Sequence, residues 1–473
     1  LTGEGQVIGI SDTGIDMQSC FFKDDSASFI YDSLNPAHRK ILYYHTQFGD
    51  RMDSAAGHGT HVAGSLAGST SQTGYSLYNG IASAAKVSFF DLHSSGPEGE
   101  LSVPSDLSKI FLPLYATGAR VISNSWGMPN YSELANSYTL DSRAVDMFMY
   151  IYPDSLIIFA AGNNGALGEN SVVAPSTNKN GISVGASLNS RGGIVAVKGV
   201  GISDAYNEEG VAHFSSRGPT RDGRMKPDVL APGWVTSSAA VGRACGLVVM
   251  EGTSMATPLV AGVASRVREY FMKGYYPTGY ANVSDEFTPS GALLKAILIH
   301  SSQPMARRVF EGGSSETLGA YPSNEQGYGR VSIDRILAPV VSDSTRLFVR
   351  GAAHATDPYY VSFNETGQRH LYEIVVGWRP PRVLRVTVTY TDFPAFPTME
   401  NMIINRLSVV VRDGTSGQLY SRINSAWEKD NVFVIDIHDP LANSTLLVNI
   451  LAEFLLSEQS YALVVSGLSW GHA

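Results

Sequence analysis

Charged side chains are scarce: Asp, Glu, Lys and Arg together supply 16% of the 473 residues, against 44% hydrophobic. That balance excludes a disordered or fibrous chain and fits a large packed core. Basic residues are fewer still than acidic ones, 34 against 43, leaving a formal net charge of -9. General nucleic-acid binding needs a basic surface and is therefore excluded. No apolar run reaches the roughly 18 residues needed to span a bilayer. No secretory leader is expected in this stretch, where Leu1-Thr-Gly-Glu-Gly-Gln6 runs directly into apolar Val7–Ile10. We read this start as the trimmed end of a precursor. Cysteine is nearly missing. With only Cys20 and Cys245, a disulfide-built scaffold is excluded. The plain reading is two unpaired, half-buried thiols, and a single disulfide is the alternative if the chain works outside the cell.

What the chain does have is periodicity. A length of 473 residues exceeds what one core usually fills, so two domains are expected. Val7–Ile10, Lys86–Phe90, Arg120–Ser123, Leu156–Ala161 and Gly181–Gly185 read as buried strands. Leu107, Ile110, Phe111 and Leu114 recur at helical spacing, as do Ala144, Val145, Phe148 and Met149, and later Val260, Val263, Ala264, Val267 and Tyr270. Such alternation predicts an α/β domain with a mostly parallel sheet and helices on both faces, its chemistry at the carboxyl ends of the strands. Past Leu337-Ala-Pro339 the pattern changes. In Val383–Tyr390, Val386, Val388 and Tyr390 share one face and Arg385, Thr387 and Thr389 the other. Further short strands at Leu407–Arg412, Val432–Ile437, Leu446–Ile450 and Tyr461–Ser466 predict an antiparallel β-sandwich. The expected domains are residues 1–340 and 341–473.

Three segments each offer one member of a proton-relay triad. Asp12 follows an apolar strand in Ser11-Asp-Thr-Gly14; His58 opens a small-residue helix in Gly57-His-Gly-Thr-His61; Ser254 lies where a turn enters a helix in Gly252-Thr-Ser-Met-Ala-Thr-Pro258. A serine hydroxyl is a weak nucleophile at neutral pH. It needs an imidazole to take its proton and a carboxylate to fix the imidazole tautomer and stabilise its cation. Asp, then His, then Ser is one of the three chain orders in which this triad occurs. The three segments resemble the signature blocks of the subtilase family, and Phe214-Ser-Ser-Arg-Gly-Pro219 and Lys226-Pro-Asp-Val-Leu-Ala-Pro-Gly233 continue the likeness. With Thr139-Leu-Asp-Ser-Arg143, Gly327-Tyr-Gly-Arg-Val331 and the β-rich tail, the chain is most similar to the oxidatively stable alkaline protease branch, which carries a C-terminal β-jelly-roll.

The resemblance implies a secreted or extracytoplasmic serine endopeptidase, freed of its own propeptide, that needs no cofactor for catalysis. A specialised processing or transpeptidating enzyme with a narrow substrate range is the alternative. It implies Asn163, in Ala160-Ala-Gly-Asn-Asn-Gly165, as the side-chain donor to the oxyanion, with the Ser254 amide as the second donor. It also implies that Ser125, Trp126 and Gly127 pair with an extended substrate, that Ala161 and Gly162 wall the pocket for the residue before the cut, and that Val173 narrows this pocket. One departure bears on calcium. The branch has an acidic run in the jelly-roll where this chain reads Asn405-Arg-Leu-Ser-Val409. Without those carboxylates the usual calcium site is lost, while structural calcium elsewhere stays open. His61 and Asp16 read as structural, a hydrogen-bonded histidine and a turn-ordering carboxylate. Met255, beside the nucleophile, is a candidate for damaging oxidation unless packing shields it.

Overall fold

The computed structural model describes residues 1–94, 100–129, 132, 134–189, 207–337, 346–376, 382–424 and 429–468. Strands β1 (Val7–Asp12), β2 (Ile41–Thr46), β3 (Lys86–Asp91), β4 (Val121–Asn124), β5 (Leu156–Ala160) and β6 (Ile182–Ser187) are interleaved with helices α1 (His58–Ala67), α2 (Ser108–Ala116) and α3 (Leu140–Ile151). There follow β7 (Gly210–Ala212), β8 (Val229–Pro232), β9 (Thr236–Ala239), β10 (Leu247–Met250), α4 (Thr253–Met272), α5 (Gly291–Ser301), β11 (Arg307–Val309) and β12 (Ser315–Thr317).

One sheet has the order β12-β11-β7-β6-β5-β4-β1-β3-β2, with β8 also beside β6. The run from β2 through β6 is parallel throughout. Its strands carry apolar residues in succession because helices cover them: every residue of β5 and β6 is buried. Helix α4 packs on α1 and on β4, β5, β6 and β8, while α2 packs on β1, β3 and α3. The order places β1, β4 and β5 side by side, so Asp12, Ser125 and Asn163 all emerge at or just beyond neighbouring carboxyl ends.

The C-terminal part consists of β13 (Arg346–Arg350), β14 (Ser362–Phe363), β15 (Arg369–Val375), β16 (Val383–Thr389), β17 (Arg406–Asp413), β18 (Leu419–Asn424), β19 (Val432–His438), β20 (Thr445–Phe454), β21 (Gln459–Ser460) and β22 (Ala462–Leu468). Two four-stranded antiparallel sheets, β13-β22-β16-β19 and β15-β20-β17-β18, form a β-sandwich, and β14 pairs β21 beside them. Between the sheets lies a core that includes Val386, Val388, Val409, Val448 and Val465. The expected boundary at residue 340 lies outside the described residues.

The alternation expected in β16 is only half of what is seen, because Thr387 and Thr389 on its other face are also buried. That face meets α5: the Thr389 hydroxyl donates to the Ala292 carbonyl at 2.7 Å, and Thr387 Oγ1 lies 2.9 Å from His300 Nδ1. A buried ion pair, Lys179 with Asp392, joins the two parts. Lys179 Nζ also donates to the carbonyls of Phe393 (2.6 Å) and Met402 (2.7 Å). Asp392 accepts from the Ile404 and Asn405 amides at 2.9 and 2.8 Å. Asn405 is fully buried beside this pair, its side-chain amide donating to Gln459 at 2.8 Å.

The reading of two unpaired thiols is overturned. Cys20 and Cys245 form a disulfide, with Cα atoms 5.2 Å apart and a sequence separation of 225. The β9–β10 loop lies along residues 16–20: Gly242 N–H donates to Asp16 at 2.8 Å, and Cys20 N–H donates to the Ala244 carbonyl. No local sequence signal encodes that contact, which is why spacing alone could not pair the thiols.

Candidate active site

Asp12 sits at the last residue of β1, 1% exposed. Its Oδ1 accepts from the Thr13 amide at 2.8 Å and lies 2.7 Å from His58 Nδ1. The Nδ1–H bond to a carboxylate fixes the tautomer and leaves Nε2 as the basic nitrogen. His58 is the first residue of α1, and Gly59 explains how that helix comes so close: a Cβ there would collide with the Gly14 carbonyl. Partial burial alone would lower the His58 pKa. The Asp12 charge and hydrogen bond, with Asp53 adding to them, reverse this and raise it above the ordinary histidine value.

Asp53 was not singled out in the sequence, although it lies five residues before His58. Buried, it accepts from the Thr13 hydroxyl at 2.7 Å and the Thr60 amide at 2.7 Å. Thr13 Oγ1 in turn accepts from the Gly59 amide at 2.8 Å. Burial pushes the Asp53 carboxyl up to about 6 against these hydrogen bonds, and the Asp12 charge adds to the rise. One clamp thus ties the start of α1 to the loop after β1.

Ser254 is the second residue of α4, whose N-cap Gly252 has φ 144°, a conformation that favours glycine. The Ser254 hydroxyl donates to the Ser125 carbonyl at 3.1 Å, and the Ser125 hydroxyl donates back to the Ser254 carbonyl at 2.8 Å. Asn163 faces the same helix start. Its Oδ1 accepts from the Thr253 amide (2.8 Å) and the Thr253 hydroxyl (2.9 Å). Since the amide N–H can only donate, Oδ1 is committed to Thr253 and the Nδ2 group is presented as donor. Thr253 escaped the sequence reading, yet its signal was there, next to the serine in the Gly252-Thr-Ser motif.

A cavity of about 310 Å³ joins Ser254, Asn163, Ser125, Gly127, Gly162 and Val173. Val173, 5% exposed, packs against Gly127 and Gly162 so closely that a Cβ on either would crowd it. The expected wall residue Ala161 is not brought to this cavity; Ala160 lines it instead. Ala161 is fully buried, with its amide bonded to the Val184 carbonyl and its carbonyl to the Val173 amide. Trp126 turns its side chain inward, donating from Nε1 to Ser11 at 2.9 Å and meeting Phe159 edge to face. Only its backbone is left for a substrate. Among the described residues, the peptide groups of Trp126 and Gly127 have no backbone partner.

His61 and Asp16 take the structural roles expected of them. His61 is buried, its Nε2–H bonded to the Thr236 carbonyl at 2.9 Å, and burial pulls its pKa down to about 4. Asp16 accepts from the Gln18 amide at 2.9 Å, ordering the turn. Met255 is 1% exposed. Among the described residues, no group of three or more His, Cys, Asp or Glu is gathered as a metal site, and no helix is long and apolar enough to cross a membrane.

Residues 3–329 match the subtilase family. The Dictyostelium discoideum serine protease/ABC transporter B family protein tagD is 35% identical over 64% of this chain and 20% of its own length. The tagA protein of the same organism is 27% identical over 98% of this chain and 30% of its own. The chain therefore spans between a fifth and a third of these relatives. The solved Clostridium perfringens CspB protease shares the fold at 18% identity, with a TM-score of 0.51 over 71% of this chain and 94% of that one. With its motif segments set at one strand end and two helix starts and the family match covering more than half its length, the chain belongs to the subtilase family of serine peptidases.

Proposed function

We propose that the protein is a serine endopeptidase that cleaves extended polypeptides through an acyl-enzyme on Ser254. The observation that carries this reading is the His58 Nδ1–Asp12 bond of 2.7 Å at the same strand ends as Ser254 and the Asn163 amide. In the resting arrangement Ser254 is held by the Ser125 carbonyl. A substrate N–H pairing with that carbonyl would release the hydroxyl toward His58 Nε2. His58 takes the hydroxyl proton as Ser254 Oγ bonds the scissile carbonyl carbon. The resulting oxyanion is met by Asn163 Nδ2 and the Ser254 amide. His58 then gives the proton to the leaving amine as the C–N bond breaks, and water repeats the cycle on the acyl-enzyme. Asp12 stays ionised throughout and stabilises the imidazolium.

Ser125–Gly127 would pair with the residues before the cut, with Val173 limiting the adjoining pocket to small or medium apolar side chains. The order of the C-terminal sheets supports a jelly-roll: taking the eight long strands in sequence, the first, eighth, third and sixth form one sheet, and the second, seventh, fourth and fifth the other. The Cys20–Cys245 disulfide supports work in an oxidising, extracytoplasmic compartment. No cofactor enters this chemistry, and removal of a propeptide would precede it. A fluorophosphonate probe should label Ser254 and no other serine, and His58→Ala should abolish labelling. Unlabelled Ser254 in folded protein would overturn the reading.

A further inference from the structure

Asn-x-Ser/Thr triplets, the acceptors of N-linked sugar, begin at Asn130, Asn282, Asn364 and Asn443. Asn130 lies outside the described residues, and the other three are exposed. We propose that Asn364 and Asn443 carry N-linked glycans, which together shield the open edge of the β-sandwich from pairing with a second copy of the chain. The inference rests on the extracytoplasmic reading above and goes beyond it, naming the modified atoms and their task.

The state of the amides sets these two apart. Asn282 spends its side chain on a helical turn, accepting from the Ser284 amide at 3.1 Å and donating to Asp285 at 2.7 Å. Among the described residues the side chains of Asn364 and Asn443 make no hydrogen bond, which leaves each Nδ2 free to be modified. In the transfer Nδ2 loses a proton and bonds the anomeric carbon of an oligosaccharide, while the bond from that carbon to its lipid-pyrophosphate carrier breaks. Such a carrier serves chains that enter the secretory compartment.

Their position supplies the second observation. Strand β15 is outermost in its sheet, and among the described residues it pairs with β20 alone. Asn443 stands in the turn at one end, where the Val376 N–H donates to the Ser444 carbonyl at 2.9 Å and Val375 lies opposite Thr445. Asn364 opens the turn at the other end. There Gln368 Oε1 accepts from the Asn364 and Glu365 amides at 2.7 and 3.1 Å, and the Gly367 N–H donates to the Ala452 carbonyl at 2.7 Å. The seven residues of β15 span about 20 Å. A strand added to this edge, in either direction, has to run between the two asparagines.

The edge itself needs a guard. Unpaired N–H and C=O groups on an edge strand template pairing with another chain unless something blocks them. Strand β15 holds no proline or lysine, and Leu371 is 53% and Val375 58% exposed. It is also self-complementary. Two copies paired antiparallel about Leu371 set Arg369 of each opposite Glu373 of the other, since both lie two residues from Leu371. Bulky, hydrated sugars at both ends oppose that approach.

The test uses the full chain isolated from the cells that make it. Amidase release of N-glycans turns each modified asparagine into aspartate, and peptide mapping should find this at both positions in most molecules. After native release the protein should self-associate at a concentration at least about 10-fold lower, as expected for opening Leu371 and Val375 to burial. Leu371→Lys should reverse that shift. Asn364→Gln combined with Asn443→Gly, which suits the φ of 58° there, should behave as the released protein. Thr366→Ser with Thr445→Ser keeps both triplets and should behave as the wild type. Either asparagine bare in protein whose Cys20–Cys245 disulfide is formed overturns the glycan pair alone. Bare asparagines together with free thiols overturn the extracytoplasmic reading as well. Glycans whose removal leaves self-association unchanged overturn the shielding.

Discussion

Replacing Thr253 by valine should slow catalysis without weakening substrate binding. Valine keeps the β-branched shape of this buried position but removes the hydroxyl that donates to Asn163 Oδ1 at 2.9 Å and accepts from the Gly162 amide at 3.2 Å. The Thr253 backbone amide, 2.8 Å from the same Oδ1, remains. Asn163 therefore keeps one of its two tethers, and its Nδ2 loses aim rather than leaving the site. A neutral hydrogen bond contributes about 0.5–1.5 kcal/mol, so kcat should fall about 2- to 12-fold at nearly constant KM. Removing the donor itself in Asn163→Ala should cost about 10²–10³ in kcat, the range seen when subtilisin's own oxyanion-hole asparagine is replaced. A double-mutant cycle separates the roles. In the Asn163→Ala background Thr253→Val should cost less than about twofold, because there is no amide left to orient. Thr253→Ser should restore most of the rate. Steady-state kinetics on one chromogenic peptide suffice. Equal losses from Thr253→Val in both backgrounds would refute the tether, as would an effect confined to KM.

The acid limb of kcat/KM should have its midpoint above the ordinary histidine value of about 6.5, because Asp12 raises the His58 pKa and activity is lost as pH falls through the raised value. A midpoint below pH 6 would contradict this. Peroxide sufficient to oxidise exposed Met52 should leave the rate unchanged, since Met255 is 1% exposed against 68% for Met52. Peptide mapping would check which methionine reacts, and rapid inactivation tracking Met255 sulfoxide would refute the shielding. Lys179→Ala should destabilise the protein by about 3–5 kcal/mol in urea unfolding, because it strands the buried Asp392. The double replacement Lys179→Met with Asp392→Leu should recover most of that loss, and a single-variant cost under about 1 kcal/mol would show the pair to be dispensable.

The elements that carry chemistry were legible because each is a local signal. Asp12, His58, Asn163 and Ser254 all stand at strand ends or helix starts, where glycines permit close approach. The parallel order followed from apolar runs separated by helical spacing. Less could be read where a residue's neighbours come from distant sequence. Ala160 and Ala161 look alike in sequence, and only the pairing of β5 with β6 decides which one faces the cavity. Thr387 and Thr389 read only as the face opposite Val386 and Val388, because nothing local announces that α5 will cover them. Helix α5 itself was overlooked: every residue from Gly291 to Ser301 is buried, so it lacks the polar face that makes a helical period visible. Asp53 and Thr253 were hidden for a different reason. They touch the reacting groups only through another side chain.

The Cys20–Cys245 bond has a bearing on how such an enzyme survives its own kind. Asp12 lies before the bridged segment and Ser254 after it, while His58 and Asn163 lie within it. One cut anywhere between residues 20 and 245, by a neighbouring copy of the enzyme, would leave two fragments still covalently joined. All four groups would remain on one molecule, held by a link that reannealing does not have to rebuild. A nicked enzyme of this design is a two-chain enzyme.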